Sequence, residues 1–341
     1  MQSIELARIA VMNRVELSKL SESLGKNPWQ VASNSAYEAQ TAPTVTVIVT
    51  LFNYANYITG CLDSVCAAIT ENLPGGLEIL VIDDCSSDNS IQVTEDYLNQ
   101  RSDVPIALVK KLFNTGLADA RNLGLKLARA PYVFILDADN WIYPNCLSVL
   151  YGAIAESDYT AAYGIINRFD SETGEGIGLL SFYEWSIPDL LHGNYIDAMA
   201  MLKRDVLLSL GGYSTELIQY GWFGWEDYDM WLKLANAQQP VKLVPQVLSA
   251  YRVHSQSMIN TTNLYIQFLA KYFKKKFSSL VEEFHNSSLL FGQPLEQSPE
   301  NNPATLADLL QHLQVENQRL LVENQRLQLE NQQLKQLAVG I

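Results

Sequence analysis

The chain has 341 residues, 48% of them hydrophobic and 10% aromatic, enough for a substantial core and too apolar for global disorder. Its formal net charge of −14 argues against nucleic acid as a partner, because neutralising phosphates needs clustered Lys and Arg. The four cysteines, Cys61, Cys66, Cys85 and Cys146, lack paired metal-ligand spacing and read as reduced, mostly buried thiols.

No basic segment followed by an apolar one marks a signal peptide, and no window reaches the roughly 18 uninterrupted apolar residues of a membrane span. A cytoplasmic protein is the expectation. Residues 1–40 carry apolar positions at helical spacing (Ile4, Ala7, Ile9, Val11, Val15, Leu17, Leu20, Leu24) and then a polar stretch, so a helical N-terminal extension is predicted at 1–42. From Val45 the pattern changes. Strands are predicted at Val45–Thr50, Leu77–Ile82, Ile106–Lys110 and Tyr132–Leu136, and helices at Tyr57–Thr70, Ser90–Gln100 and Gly116–Arg129. Such alternation indicates βαβ units and a Rossmann-like, mostly parallel sheet flanked by helices, an α/β fold placed at 43–285. A further helix is predicted from Glu226 to Ala237, and 286–304, rich in Ser, Asn, Pro and Gln, reads as a linker.

The tail, 305–338, follows a different rule. Leu306, Leu313, Leu320, Leu327 and Leu334 recur every seven residues, with Leu310, Asn317, Asn324 and Asn331 three residues before the later ones. Leucine at d and asparagine at a predict a coiled coil that makes a homo-oligomer. Phe268, Lys271, Tyr272, Phe273, Lys274, Lys275, Lys276 and Phe277 interleave aromatics with lysines. Two readings stay open for them: peripheral contact with the inner face of a membrane, or cations near a helix C-terminus.

Chemistry concentrates in carboxylates at strand and helix ends. Asp137-Ala138-Asp139-Asn140 directly follows a buried-strand pattern, where open α/β sheets bind ligands. Oxygen ligands at that spacing suit a hard divalent cation, Mg2+ or Mn2+. Asp83-Asp84 ends an earlier strand, and Glu226-Asp227 opens a helix.

Together these stretches resemble the family 2 glycosyltransferases, which have the GT-A fold. The resemblance rests on VTVIVTLFN (45–53), EILVIDDCSSDNS (78–90), NTGLADARN (114–122), YVFILDADN (132–140), GGY (211–213), GWEDYDMWL (224–232) and YRVHSQSM (251–258), in the family's order. It implies a metal-dependent, inverting transfer of a sugar from a nucleotide-diphosphate donor, a UDP-sugar, to a hydroxyl of a glycan or lipid-linked acceptor. By resemblance Thr50, Phe52 and Asp84 belong to the nucleobase pocket, and Gly116, Arg121 and Asp137 contact the donor. Asp137, Asp139 and His254 would be metal ligands, Asp227 the catalytic base and Glu226 its companion that orients the acceptor. Many relatives have another Asp where this chain has Asn140.

Plainer readings stand beside these. Asp83 and Asp84 could cap a turn, Phe52 could be core, Gly116 a simple turn glycine, and Arg121 part of a helix-surface ion pair. Glu226 and Asp227 also suit a helix N-terminus. Trp222, Trp225 and Trp231 could offer a sugar-binding face, with core packing the plainer reading for Trp231. A glycoside hydrolase shares the paired carboxylates but needs no nucleobase pocket. A nucleotidyltransferase or a catalytically inactive scaffold that binds nucleotide sugar would keep the same sheet.

Overall fold

The structure is a computed structural model that describes residues 2–69, 73–221, 224–254 and 265–294. Residues Arg8–Gln293 form one compact unit, and the site described below lies wholly within it. The other unit, Met1–Ala7 with Pro294–Ile341, contributes among the described residues only the first turns of a helix and Pro294.

Ten strands build one sheet: β1 (Trp29–Ser33), β2 (Val45–Leu51), β3 (Leu77–Asp83), β4 (Ile106–Lys111), β5 (Tyr132–Asp137), β6 (Trp141–Ile142), β7 (Ala161–Asp170), β8 (Gly176–Leu180), β9 (Ala200–Lys203) and β10 (Val241–Val253). Their order is β1-β4-β3-β2-β5-β9-β7-β10-β6, with β8 attached to β7. The block β4-β3-β2-β5 is parallel. Its strands read as continuous apolar runs because both faces are covered. Ile48 enters one core cluster while Val45, Val47 and Val49 enter the other, so the sheet is sandwiched between two helical layers. The helix Leu117–Leu127 lies closest to it at Gly124, where a Cβ would run into the Ile48 side chain.

Connectivity places a crevice. The chain winds from β2 through β3 to β4 in one direction, then returns to set β5 on the other side of β2. Ligands of open α/β sheets bind at such a reversal, outside the carboxyl ends of the strands. Beyond β5, β9 runs antiparallel to it, pairing Phe134 with Met201 and Tyr132 with Lys203. The residues just before β9 therefore enter at the same edge where β5 ends.

The structure departs from the sequence reading at both flanks. Residues 1–42 are not purely helical: after the helix Gln2–Ser23, β1 joins the sheet edge antiparallel to β4. Val31 in β1 is exposed, and only Trp29 is buried, so the segment lacks the apolar alternation that announces a strand. Its pairing partner decides its state. Within the expected linker, Leu289–Leu290 and Gln293–Pro294 form a two-stranded sheet, and Leu290 and Phe291 join the core. The remainder of the linker and the expected coiled coil at 305–338 lie outside the described residues.

In the helix Ile266–Lys276, Phe273 and the following Phe277 are buried, and Lys276 Nζ pairs with the buried Asp229 at 2.6 Å. Phe268, Lys271, Lys274 and Lys275 remain exposed. No helix among the described residues is long and apolar enough to cross a membrane. All four cysteines are free, with Cys61 and Cys146 buried, Cys66 half-buried and Cys85 exposed.

Candidate active site

The crevice is built from strand ends. Thr50 and Asp137 are cross-strand neighbours at the ends of β2 and β5, and Thr50 Oγ1 donates to Asp137 Oδ1 at 2.6 Å. Two residues on, Asp139 Oδ2 lies 3.0 Å from His254 Nε2. That meeting depends on β10, whose antiparallel pairing with β6 carries the YRVH segment back over the Asp139 turn. Arg252 locks it there: its N–H donates to Asn140 Oδ1 at 2.9 Å and its Nε to the Asp139 carbonyl at 2.9 Å. The guanidinium itself sits among the rings of Tyr57, Trp141 and Phe169. Burial and the nearby Asp137 raise the Asp139 pKa, and the hydrogen bond to His254 opposes them. Burial and Asp139 likewise raise the neighbouring Tyr54 phenol.

Arg121 is the hinge of the site. It projects from the helix Leu117–Leu127, is only 2% exposed, and is not on the surface as one reading had it. One nitrogen reaches Asp137 Oδ1 at 3.1 Å, another Glu226 Oε1 at 3.3 Å. Burial disfavours its charge, but Asp137 and Glu226 outweigh burial and keep it protonated. Its guanidinium lies 5.4 Å from the centre of the Tyr213 ring. The adjacent Asn122 fixes that tyrosine by two bonds, Nδ2 to the Tyr213 carbonyl (2.8 Å) and Tyr213 N–H to Oδ1 (2.7 Å). The Gly-Gly-Tyr motif thus works as a seat for Arg121. Gly212 has φ +66°, and any side chain there would strike the Asn122 amide.

Glu226 and Asp227 begin the helix Glu226–Asn236. Glu226 is spent on Arg121 and on the Gly224 N–H, 2.8 Å from Oε2. Asp227 is half-buried and accepts from the Tyr228 N–H (2.7 Å) and from Asn194 Nδ2 (3.2 Å). Burial, then Glu226 and Asp197, push its pKa well above the carboxylate range, against Arg121.

Asp84 is bound internally. Its Oδ1 accepts from Lys111 Nζ (2.8 Å) and the Thr115 N–H (3.0 Å), and its Oδ2 from the Gly116 N–H (2.8 Å). Gly116 adopts φ +93°, so this is a glycine-requiring turn whose backbone is held by Asp84. Phe52 is 44% exposed at the end of β2, which removes the core reading for it.

Among the described residues no three His, Cys, Asp or Glu side chains gather closely enough to hold a metal ion unaided. The expected triad separates for a physical reason: Asp137 is turned toward Thr50 and Arg121, leaving Asp139 and His254 as a pair. A mixed oxygen and nitrogen pair suits Mn2+, and a diphosphate can supply further oxygens.

Residues 46–211 match the family model described as Glycosyl transferase family 2. Those residues form a family 2 glycosyltransferase domain. GlyG of Streptococcus pneumoniae is 26% identical over 130 residues, 38% of this chain and 41% of GlyG, so the chain spans less than half of that relative. UDP-Glc:alpha-D-GlcNAc-diphosphoundecaprenol beta-1,3-glucosyltransferase WfaP of Escherichia coli is 25% identical over 215 residues, 63% of this chain and 79% of WfaP. The mannosyltransferase PcManGT from Pyrobaculum calidifontis, solved with GDP-Man and Mn2+, is similar in fold, with a TM-score of 0.52 and 20% identity across 91% of this chain and 80% of its own. The sheet is that of a GT-A glycosyltransferase.

The structure joins Thr50, Asp137, Arg121 and Glu226 in one network, with Asp227 following Glu226 in the chain and Asp139 and His254 paired two residues past Asp137. Trp231 and Trp225 leave the list of open sugar faces. Trp231 is buried, and Trp225 stacks on Phe273 with centroids 5.5 Å apart; Trp222 lies outside the described residues. Two residues of the site gave no sequence signal. Asp197 sits just before β9, where burial and the nearby Asp137 raise its pKa to about 6, against the Met199 N–H and Arg121. Asn194 holds Asp227. Both lie in an irregular loop, and only the antiparallel entry of β9 brings that loop to the crevice.

Proposed function

We propose that this chain transfers a sugar, with inversion, from a UDP-sugar to a hydroxyl of a glycan or lipid-linked acceptor, aided by Mn2+ or Mg2+. The observation that carries the reading is the buried Arg121, which ties the donor carboxylate Asp137 to Glu226 beside the base. One cation-centred network spans the two halves a direct displacement needs. Phe52 stacks on the nucleobase, Asp84 accepts from it, and Thr50 and Asp137 face the ribose. Asp139 and His254 hold the divalent cation, which when bound neutralises charge on the departing diphosphate. Asp227 accepts the proton of the acceptor hydroxyl at its carboxylate, and Asn194 and the Tyr228 N–H fix its orientation.

WfaP, by its name, uses UDP-Glc and a diphosphoundecaprenol-linked acceptor, which supports the uridine and lipid-linked assignments. PcManGT binds GDP-Man with Mn2+, which supports the metal and leaves guanosine as the competing nucleotide. Melting the protein with UDP or GDP, with and without Mn2+, tests this directly. A rise in Tm with UDP that requires Mn2+ is expected. No rise with either nucleotide in Mn2+ overturns the reading, and a rise with GDP alone reassigns the donor.

A further inference from the structure

We propose that Phe182 and Tyr183 form a platform for a pyranose ring of the acceptor, next to Asp227; this rests on the transferase reading above. Both side chains are large, aromatic and open: Phe182 is 42% and Tyr183 57% exposed. They stack on each other with ring centroids 4.3 Å apart and planes tilted by 35°, which forms one apolar unit and leaves the outer ring faces free of that contact. Aromatic faces of this kind suit the C–H face of a sugar, while the sugar hydroxyls stay free for polar neighbours.

The platform is joined to the base. The Tyr183 ring meets Tyr195 edge to face at 6.0 Å, and Asn194, the residue before Tyr195, donates to Asp227 at 3.2 Å. These contacts tie the two rings to the segment that holds Asp227.

The loop that carries it is pinned at each step. The Asp197 N–H donates to Ser181 Oγ at 3.0 Å, and Ser181 takes φ +54°, a conformation costly for a residue with a side chain. The buried Tyr163 hydroxyl donates to the Tyr183 carbonyl at 2.6 Å. Tyr195 hydroxyl donates to the Glu184 carbonyl at 3.0 Å and accepts from the Ser186 N–H at 2.9 Å. A loop held so firmly gains nothing for the fold by exposing two aromatic rings. It is preorganised for a ligand, so binding loses little loop entropy.

Saturation-transfer NMR on the full chain with a panel of methyl pyranosides reads the platform, and Mn2+-dependent hydrolysis of UDP-sugars reads the transferase separately. Wild type should transfer saturation to the ring C–H protons of at least one methyl pyranoside. The double variant Phe182→Ala/Tyr183→Ala should bind it about tenfold more weakly. Its melting temperature should match wild type, because both side chains are exposed. Tyr183→Phe should bind as wild type does. Saturation that survives unchanged in the double variant, or none with any pyranoside in wild type, overturns the platform. Loss of hydrolysis in wild type would instead sink the transferase reading.

Discussion

To serve as the proposed base, Asp227 has to lose a proton that its surroundings hold tightly. Burial, Glu226 and Asp197 all favour the neutral acid, so the base form appears only above a pH where an ordinary Asp is long ionised. The acid limb of kcat/KM should accordingly lie well to the alkaline side of the usual carboxylate range, with rate rising as pH rises through it. Asn194→Ala removes a donor that stabilises the anion and should move that limb further alkaline; a limb that stays put would dismiss Asn194 as a positioning residue. Asp227→Asn should keep metal-dependent donor binding and lower transfer by about 10²–10⁴, the worth of a positioned base. Asp139→Ala should do the reverse, abolishing Mn2+-dependent UDP binding in calorimetry with the fold intact, and unchanged affinity would remove Asp139 from the metal site.

At the scale of elements, the helix Leu117–Leu127 does most to join fold and site. Its Gly124 lets it approach β2, its Asn122 seats Tyr213, and its Arg121 reaches both carboxylates. Gly124→Val should destabilise by about 1–3 kcal/mol in denaturant unfolding, since extra methyls have nowhere to go against Ile48. Arg121→Met is harsher, because it leaves Asp137 and Glu226 facing each other unpaired, and a loss of about 3–5 kcal/mol is expected. Stability equal to wild type would mean water replaces the guanidinium. The sequence marked this helix by its apolar spacing and marked Arg121 as polar, but it could not say that the arginine points inward. That follows from Glu226, 105 residues away, folding over the same strand end.

For the whole molecule, the heptads of 305–338 remain a proposal: the tail assembles the chain through a parallel coiled coil, and chemistry stays in Arg8–Gln293. The structure sets where to cut. Phe291 is in the core, so truncation must come after the Leu289–Pro294 segment. A 1–300 chain should be monomeric by light scattering and still hydrolyse donor. Equal masses for the two chains would refute the tail's role. The lysines of Ile266–Lys276 divide in the same way, Lys276 serving Asp229 inside while Lys271, Lys274 and Lys275 face outward.

The parallel block and its crevice were legible in the residues alone. Fully buried parallel strands write themselves as apolar runs, and acidic residues at their ends stand out against those runs. Thr50, Asp137, Asp139 and Asp227 could be named on that ground together with the order of the motifs. What sequence left undecided was partnership. Strand β1 is defined by β4 rather than by its own pattern, and His254 meets Asp139 only because β10 runs back along β6. Asp137 turned from the metal pair to Arg121, while Asp84 took up the Gly116 turn. Asn194 and Asp197 reached the crevice only through the antiparallel entry of β9. Local sequence carries burial and periodicity, because those depend on a residue and its near neighbours; which side chains meet is set by closure of loops many residues long, and only the folded sheet specifies that.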